Sequence, residues 1–199
     1  GQGSITAAQV NNGSTDNCST ILTFATSQTT FSCSDVGPNT VTLTVTDECG
    51  NSSSATAIVT VKDVTAPVFS NMPANITVNA QLNNCNQLVS WTAPNTSDNC
   101  GVADVHSSDS FFDNFGFTLL PVGVHTITYT ATDVNGNITT QSFTVTVVDN
   151  QPPVINNCPA NISVNATQGT CGATVIYQQP TAGDNCSAMG VTLAINNTN

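Results

Sequence analysis

Three five-residue words concentrate the chemistry this sequence could perform: TDNCS at 15–19, SDNCG at 97–101 and GDNCS at 183–187. Each sets a carboxylate two residues ahead of a thiol. At that spacing an Asp has two uses. Its oxygens can accept from the backbone N–H groups that follow, forming an Asx turn that presents the cysteine. Alternatively Asp98, with the Asp133 turn and the junction acid Asp149, forms an oxygen cage for calcium, an ion that takes about six to eight carboxylate and carbonyl ligands. Asp63, the other junction acid, and the turn acids Asp47 and Glu48 belong to the same candidate set. Lys62 is the single fixed cation against twelve Asp and Glu, a formal net charge of −11, so acids gathered in one place repel unless a counterion joins them. No EF-hand spacing accompanies them, and for Asp16, Asp98 and Asp184 the turn and the cage both stay open.

The eight thiols are the second chemical resource. They show no CxxC pair and no Cys/His cluster, which argues for disulfides in an oxidising compartment rather than for zinc. Cys18 with Cys33, Cys85 with Cys100 and Cys171 with Cys186 are each fifteen positions apart. Those are the expected bridges, and a loop of that size is worth roughly 3 kcal/mol in the chain-entropy model. Cys33 stands where Leu119 stands in the next copy and is expected to face the core. Cys49 and Cys158 are left over, and a bridge between them would have to pass a whole module, far beyond disulfide reach.

The elements that position these residues recur with a period of 86. PANITV at 73–78 returns as PANISV at 159–164, VGPNTVTLTVTDECGN at 36–51 as VGVHTITYTATDVNGN at 122–137, and Cys85, Trp91 and Cys100 as Cys171, Tyr177 and Cys186. The first copy is four residues shorter between Cys18 and Val36. The chain therefore reads as the back of one repeat (1–63), a whole repeat (64–149) and the front of a third (150–199), as expected for a piece of something longer. Alternating Val, Thr, Ile and Ser runs, broken by turn words such as APNTSDN and DVNGN, make it all-β. Short strands at this density fit tandem immunoglobulin-like sandwiches. Pro67 and Pro153 follow closely on strand ends, stiffening the linkers so that modules string out in an elongated array.

These words also support a family resemblance. Asp-x-x-x-Pro at the junctions, PANITV, a Cys ahead of SDNCG, then PVGVHTITYTATDVNGN and FTVTVVD resemble the HYR (hyalin repeat) module, an extracellular immunoglobulin-like domain. The first segment resembles the related repeat of very large surface proteins in gliding Bacteroidota. The resemblance implies a stalk or filament segment of a secreted adhesin on a bacterial outer surface, serving attachment and gliding. Its partners would be neighbouring repeats of the same chain, other copies in a filament, and a surface glycan or protein. The rival expectation is a carbohydrate- or protein-binding accessory module of a secreted enzyme.

Other chemistry has little to stand on. With one fixed cation, no run of phosphates could be neutralised, which excludes nucleic acid and argues against an anionic membrane surface. No stretch approaches the roughly 20 apolar residues of a spanning helix. His106 and His125 have no recurrent nucleophilic partner and no hydrolase motif, so no enzyme is expected. SDSFFDNFGFTLLPVG at 108–123 concentrates four of the eight Phe and is the candidate contact loop, carried by Phe111, Phe112 and Phe115. In the alternative reading Phe117, with Phe115, enters the core. Trp91 is expected to be buried against a Cys85–Cys100 bridge. Ten Asn-x-Ser/Thr sequons, Asn75, Asn137 and Asn161 among them, permit N-glycosylation in a eukaryotic secretory route.

Overall fold

The computed structural model describes residues 1–169, 172–186, 192 and 194. In chain order its elements are β1 (Gly3–Ser4), α1 (Ala7–Val10), β2 (Thr23–Thr26), β3 (Thr30–Phe31), a 3-10 turn at Cys33–Asp35, β4 (Gly37–Thr46) and β5 (Ser52–Val61). There follow β6 (Val68–Ser70), β7 (Ile76–Asn79), β8 (Asn86–Val89), β9 (Asn95–Ser97), β10 (Val102–Ser107) and α2 (Ser110–Phe115). The last are β11 (Thr118–Pro121), β12 (Gly123–Asp133), β13 (Ile138–Val148), β14 (Val154–Asn156) and β15 (Thr181–Gly183). The protein is mostly β-strand in several sheets, as the alternating composition requires. The largest sheet has the order β10-β12-β13-β7, and β2-β4-β5 form another.

Period-2 patterning decides which side chains turn inward. Along β12, Ile127, Tyr129, Ala131 and Asp133 are buried in alternation, and along β13 Phe143, Val145 and Val147 follow the same rule. A one-residue slip would expose every one of them. The row in β12 ends on a carboxylate, and Asp133 is only 1% exposed.

By contacts the chain divides into two compact units, each drawing on two successive sequence repeats. One comprises Gly1–Met72, Ala93–Ser108 and Thr128–Gln141. Its first part holds the ten-residue antiparallel β4/β5 ladder, from Gly37 opposite Val61 to Thr46 opposite Ser52, with Phe31, Val41 and Leu43 buried. In the same unit β6 pairs with β9, β10 with β12, and Phe69 meets Tyr129 edge-on at 6.3 Å.

The other unit comprises Pro73–Thr92, Asp109–Ile127 and the described part of Ser142–Asn199. There β7 runs parallel to β13, and β11 pairs with β8. Its core is aromatic: Trp91 stacks on Phe112 at 3.9 Å and meets Phe143 edge-on at 5.2 Å. Trp91 thus packs on two rings, in place of the expected bridge. The Phe-rich segment differs from expectation in conformation and in facing. It forms the helix α2, capped by Asp109, whose side chain accepts from the Phe111 and Phe112 N–H groups, and closed by Gly116 at φ 75°. Helical spacing turns Phe112 inward (5% exposed) and leaves Phe111, Phe115 and Phe117 at 47%, 60% and 38%. Phe112 is therefore core, not contact loop, and Phe115 and Phe117 are not core. Leu119 is likewise exposed, at 54%, because β11 turns Thr118 and Leu120 inward instead.

The β4–β5 turn repeats one chemical device found again after β12. Asp47 Oδ1 accepts from Asn51 N at 2.7 Å and Asp47 Oδ2 from Asn51 Nδ2 at 2.8 Å. Asp133 Oδ1 and Oδ2 accept from Asn137 N and Nδ2 at 2.8 and 2.7 Å. Gly50 at φ 87° and Gly136 at φ 90° take the left-handed position such a tight hairpin needs. The Asn51 side-chain amide holds the Asp47 carboxyl below the usual range, with backbone N–H groups adding to it against the opposing cost of desolvation.

Two outcomes are expected. Phe112→Ala costs roughly 3–5 kcal/mol in chemical denaturation, whereas Phe115→Ala costs under about 0.5 kcal/mol, as for exposed positions in general. Because folding depresses the Asp47 pKa, its ionised form adds stability that is complete above the ordinary value of 3.8 and is lost as pH falls through the lower folded value. Melts between about pH 6 and about pH 2 should show that loss, and Asn51→Ala should shrink it.

Candidate functional site

Each Asp-Asn-Cys word folds into the same local structure. Asp16 Oδ1 accepts from the Cys18 and Ser19 N–H groups at 2.8 and 2.7 Å. Asp98 Oδ1 accepts from Cys100 and Gly101 at 2.7 and 3.0 Å, and Asp184 Oδ1 from Cys186 at 2.8 Å. These are Asx turns, and they occupy one oxygen of each acid.

The second oxygen of Asp98 has another environment. Asp98 Oδ2 is buried and has no hydrogen-bond partner, a costly state for a carboxylate oxygen. Asp98 lies in a group with Asp63 and Asp133, one ligand atom from each falling within 4.8 Å of the others. Three separate segments supply the trio: the strand-exit junction, the Asx turn and the β12 hairpin turn. The acids are surrounded by amides. Asn135 Nδ2 donates to Asp63 Oδ2 at 3.0 Å, Asn99 Nδ2 to Asp63 Oδ1 at 3.3 Å, and Asn137 Nδ2 to the Asp63 carbonyl at 3.2 Å. Burial by itself pushes Asp133 up, but the Asn137 side chain and the N–H groups of Asn137, Asn135 and Gly136 outweigh it and hold the carboxyl below its ordinary value. Asp133 is thus kept anionic. Three hard oxygen ligands, from a group in which one Asp98 oxygen has no hydrogen-bond partner, fit a calcium-like ion.

The cage differs from the sequence expectation in its junction acid, which is Asp63 rather than Asp149. Asp149 sits one period away with Asp184 and Cys186, because the junction acid and the word acid that meet are 35 residues apart in both copies (63 and 98, 149 and 184). Asp47 is taken up by Asn51, and Glu48 Oε2 lies 3.5 Å from Ser19 Oγ. Asp16 and Asp47 do line one cavity of about 410 Å³ in the first segment.

The cysteines also pair differently. Cys33 is bonded to Cys100, with Cα atoms 5.2 Å apart and 67 residues between them in sequence. Cys18–Cys33 and Cys85–Cys100 are therefore not formed, and Cys18, Cys85, Cys49 and Cys158 carry free thiols. Equal sequence spacing had suggested bridges inside a repeat, while the bond joins the 3-10 turn of one repeat to the Asx turn of the next. Cys171 lies outside the described residues, so Cys171–Cys186 does too. Cys186 is a thiol here, pushed up to about 12 by desolvation, by a hydrogen bond with Cys85 and by the Asp149 charge.

Of the remaining candidates, Phe111, Phe115 and Phe117 form an exposed ring cluster with centroids 4.6 to 6.2 Å apart. His106 Nδ1 meets Asp104 Oδ2 at 2.7 Å on the surface, and His125 Nε2 meets the Pro121 carbonyl at 2.7 Å. Among the described residues no helix is long and apolar enough to cross a membrane. The asparagines around the cage were missed by sequence reasoning, although Asp-x-x-x-Asn recurs at 47–51 and 133–137.

Comparison with known proteins agrees with the repeat words. A hyalin from Lytechinus variegatus is 35% identical over 190 residues, covering 93% of this chain and 34% of the relative. A hyalin from Strongylocentrotus purpuratus is 34% identical over 154 residues, covering 75% of this chain and 12% of the relative. The chain thus spans about a third of one curated relative and about an eighth of the other. Residues 62–147 and 148–198 each match the HYR domain, and the chain belongs to that family.

Proposed function

We propose that the chain is an adhesion-related, load-bearing segment of a secreted cell-surface protein, in which immunoglobulin-like sandwich modules (1–63, 64–149, 150–199) follow one another as a stalk. One observation carries this reading. The Cys33–Cys100 bond and the Asp63, Asp98, Asp133 trio gather where the first repeat meets the second, taking residues from both sides of the Lys62–Thr65 junction. A covalent bond across 67 residues adds about 4 kcal/mol in the chain-entropy model, and it joins the first repeat to the second. Disulfide chemistry, ten sequons and hyalin relatives support an extracellular setting. The relatives come from sea urchins, and nothing among them supports a gliding bacterium.

Asp63, Asp98 and Asp133 would hold calcium at that junction and stiffen it by joining three segments through one ion. Calorimetry on chelator-stripped protein is expected to register calcium binding together with a rise in melting temperature. Asp98→Asn should weaken binding at least about tenfold, a difference of about 1.4 kcal/mol. Absence of both heat and stabilisation removes the ion from the reading.

A second reading, contact with a glycan or protein through α2, is favoured by the exposure of Phe111, Phe115 and Phe117. Phe111→Ala with Phe115→Ala should then abolish attachment of cells to a coated surface without lowering the melting temperature. On the load-bearing reading alone, attachment is unchanged.

A further inference from the structure

The geometry points to a second disulfide, Cys85–Cys186, that clasps Cys186, one period after Cys100, as Cys33 clasps Cys100. It goes beyond the adhesive reading and does not depend on it.

The two cysteine sites have the same surroundings. At the formed bond, Cys33 Sγ lies 3.2 Å from the Asn99 carbonyl oxygen, and Asn99 Nδ2 reaches Cys100 Sγ at 3.1 Å. One period on, Cys85 Sγ donates to the Asn185 carbonyl, and Asn185 Nδ2 reaches Cys186 Sγ at 3.0 Å. The approach is reciprocal, since Cys186 Sγ lies 3.7 Å from the Asn84 carbonyl and Asn185 Nδ2 donates to that carbonyl at 3.2 Å.

Both backbones are held in place. The Cys85 carbonyl accepts from Val122 N at 2.8 Å. The turn before it is tied to the next junction by Gln151, whose Oε1 accepts from Asn83 N at 3.0 Å and whose Nε2 donates to the Gln81 carbonyl at 3.1 Å. Cys186 is fixed by the Asp184 Asx turn. Metal binding by Asp149, Asp184 and Cys186 is the competing use of this cluster, but it mixes a soft sulfur with hard oxygens. Once Cys186 is bonded, Asp149 and Asp184 stand as Asp63 and Asp98 do beside Cys100.

The chemistry is ordinary thiol–disulfide exchange with a glutathione-type disulfide as oxidant. One protein thiolate attacks that disulfide and releases one small thiol, leaving a mixed disulfide. The second protein thiolate then displaces the other small thiol and closes the bond. Two protein thiols are oxidised, one small disulfide is reduced to two thiols, and the two protons pass to the released sulfurs.

The test is disulfide mapping of the full-length protein, isolated without reductant and with thiols blocked by N-ethylmaleimide, then cut with an aspartate-directed protease. The expected result is a linked peptide pair containing Cys85 and Cys186 that disappears on reduction, alongside the Cys33–Cys100 pair. Cys85→Ser should make Cys186 reactive to maleimide after denaturation, and Cys171→Ser should leave the Cys85–Cys186 link intact. Finding Cys186 linked to Cys171, or Cys85 and Cys186 both maleimide-labelled in protein whose Cys33–Cys100 bond is intact, overturns the proposal.

Discussion

Twelve carboxylates and one lysine leave almost no ion pairs with which to neutralise buried acid, and asparagine takes over the work. Asn51 and Asn137 clasp Asp47 and Asp133 through both backbone and side chain. Asn99 and Asn135 cover Asp63. Neutral amides satisfy a carboxylate's lone pairs without cancelling its charge, and at Asp47 and Asp133 they hold the carboxyl below its ordinary value. That allows Asp63 and Asp133 to be collected beside Asp98, whose Oδ2 has no hydrogen-bond partner, an arrangement that full ion pairing would have quenched.

At its second occurrence the Asp-Asn-Cys word performs several tasks at once. Its Asp closes the turn with one oxygen and, at Asp98, leaves the other buried without a partner. Its Asn covers the junction acid at Asn99, and both Asn99 and Asn185 reach the sulfur that follows. Its Cys at 100 bonds back to the previous repeat. Turn geometry, charge and cross-link therefore depend on the same few atoms.

Much of the fold was legible in the sequence: the 86-residue period, the all-β composition and the alternation that buries Tyr129, Val145 and Val147. The Asx turns could be read from spacing alone because they are local. The bond of Cys33 could not, since fifteen-residue spacing says nothing about which repeat supplies the partner, and the partner is 67 residues away. The same limit misplaced the junction acid of the cage. The α2 error had a different origin. The segment is expected as a contact loop, but Asp109 and Gly116 flank the run as an N-cap and a left-handed stop, and those two signals make it a helix. With α2 helical, Phe112 rather than Phe117 meets Trp91.

The shortage of cations also bears on how such a chain meets proteases. Trypsin-like proteases need Lys or Arg, and they find only Lys62, exposed and beside the junction. The Cys33–Cys100 bond spans that position. A cut after Lys62 would open the backbone yet leave the two fragments covalently joined, so the one digestible peptide bond of this type is also one whose hydrolysis does not sever the protein.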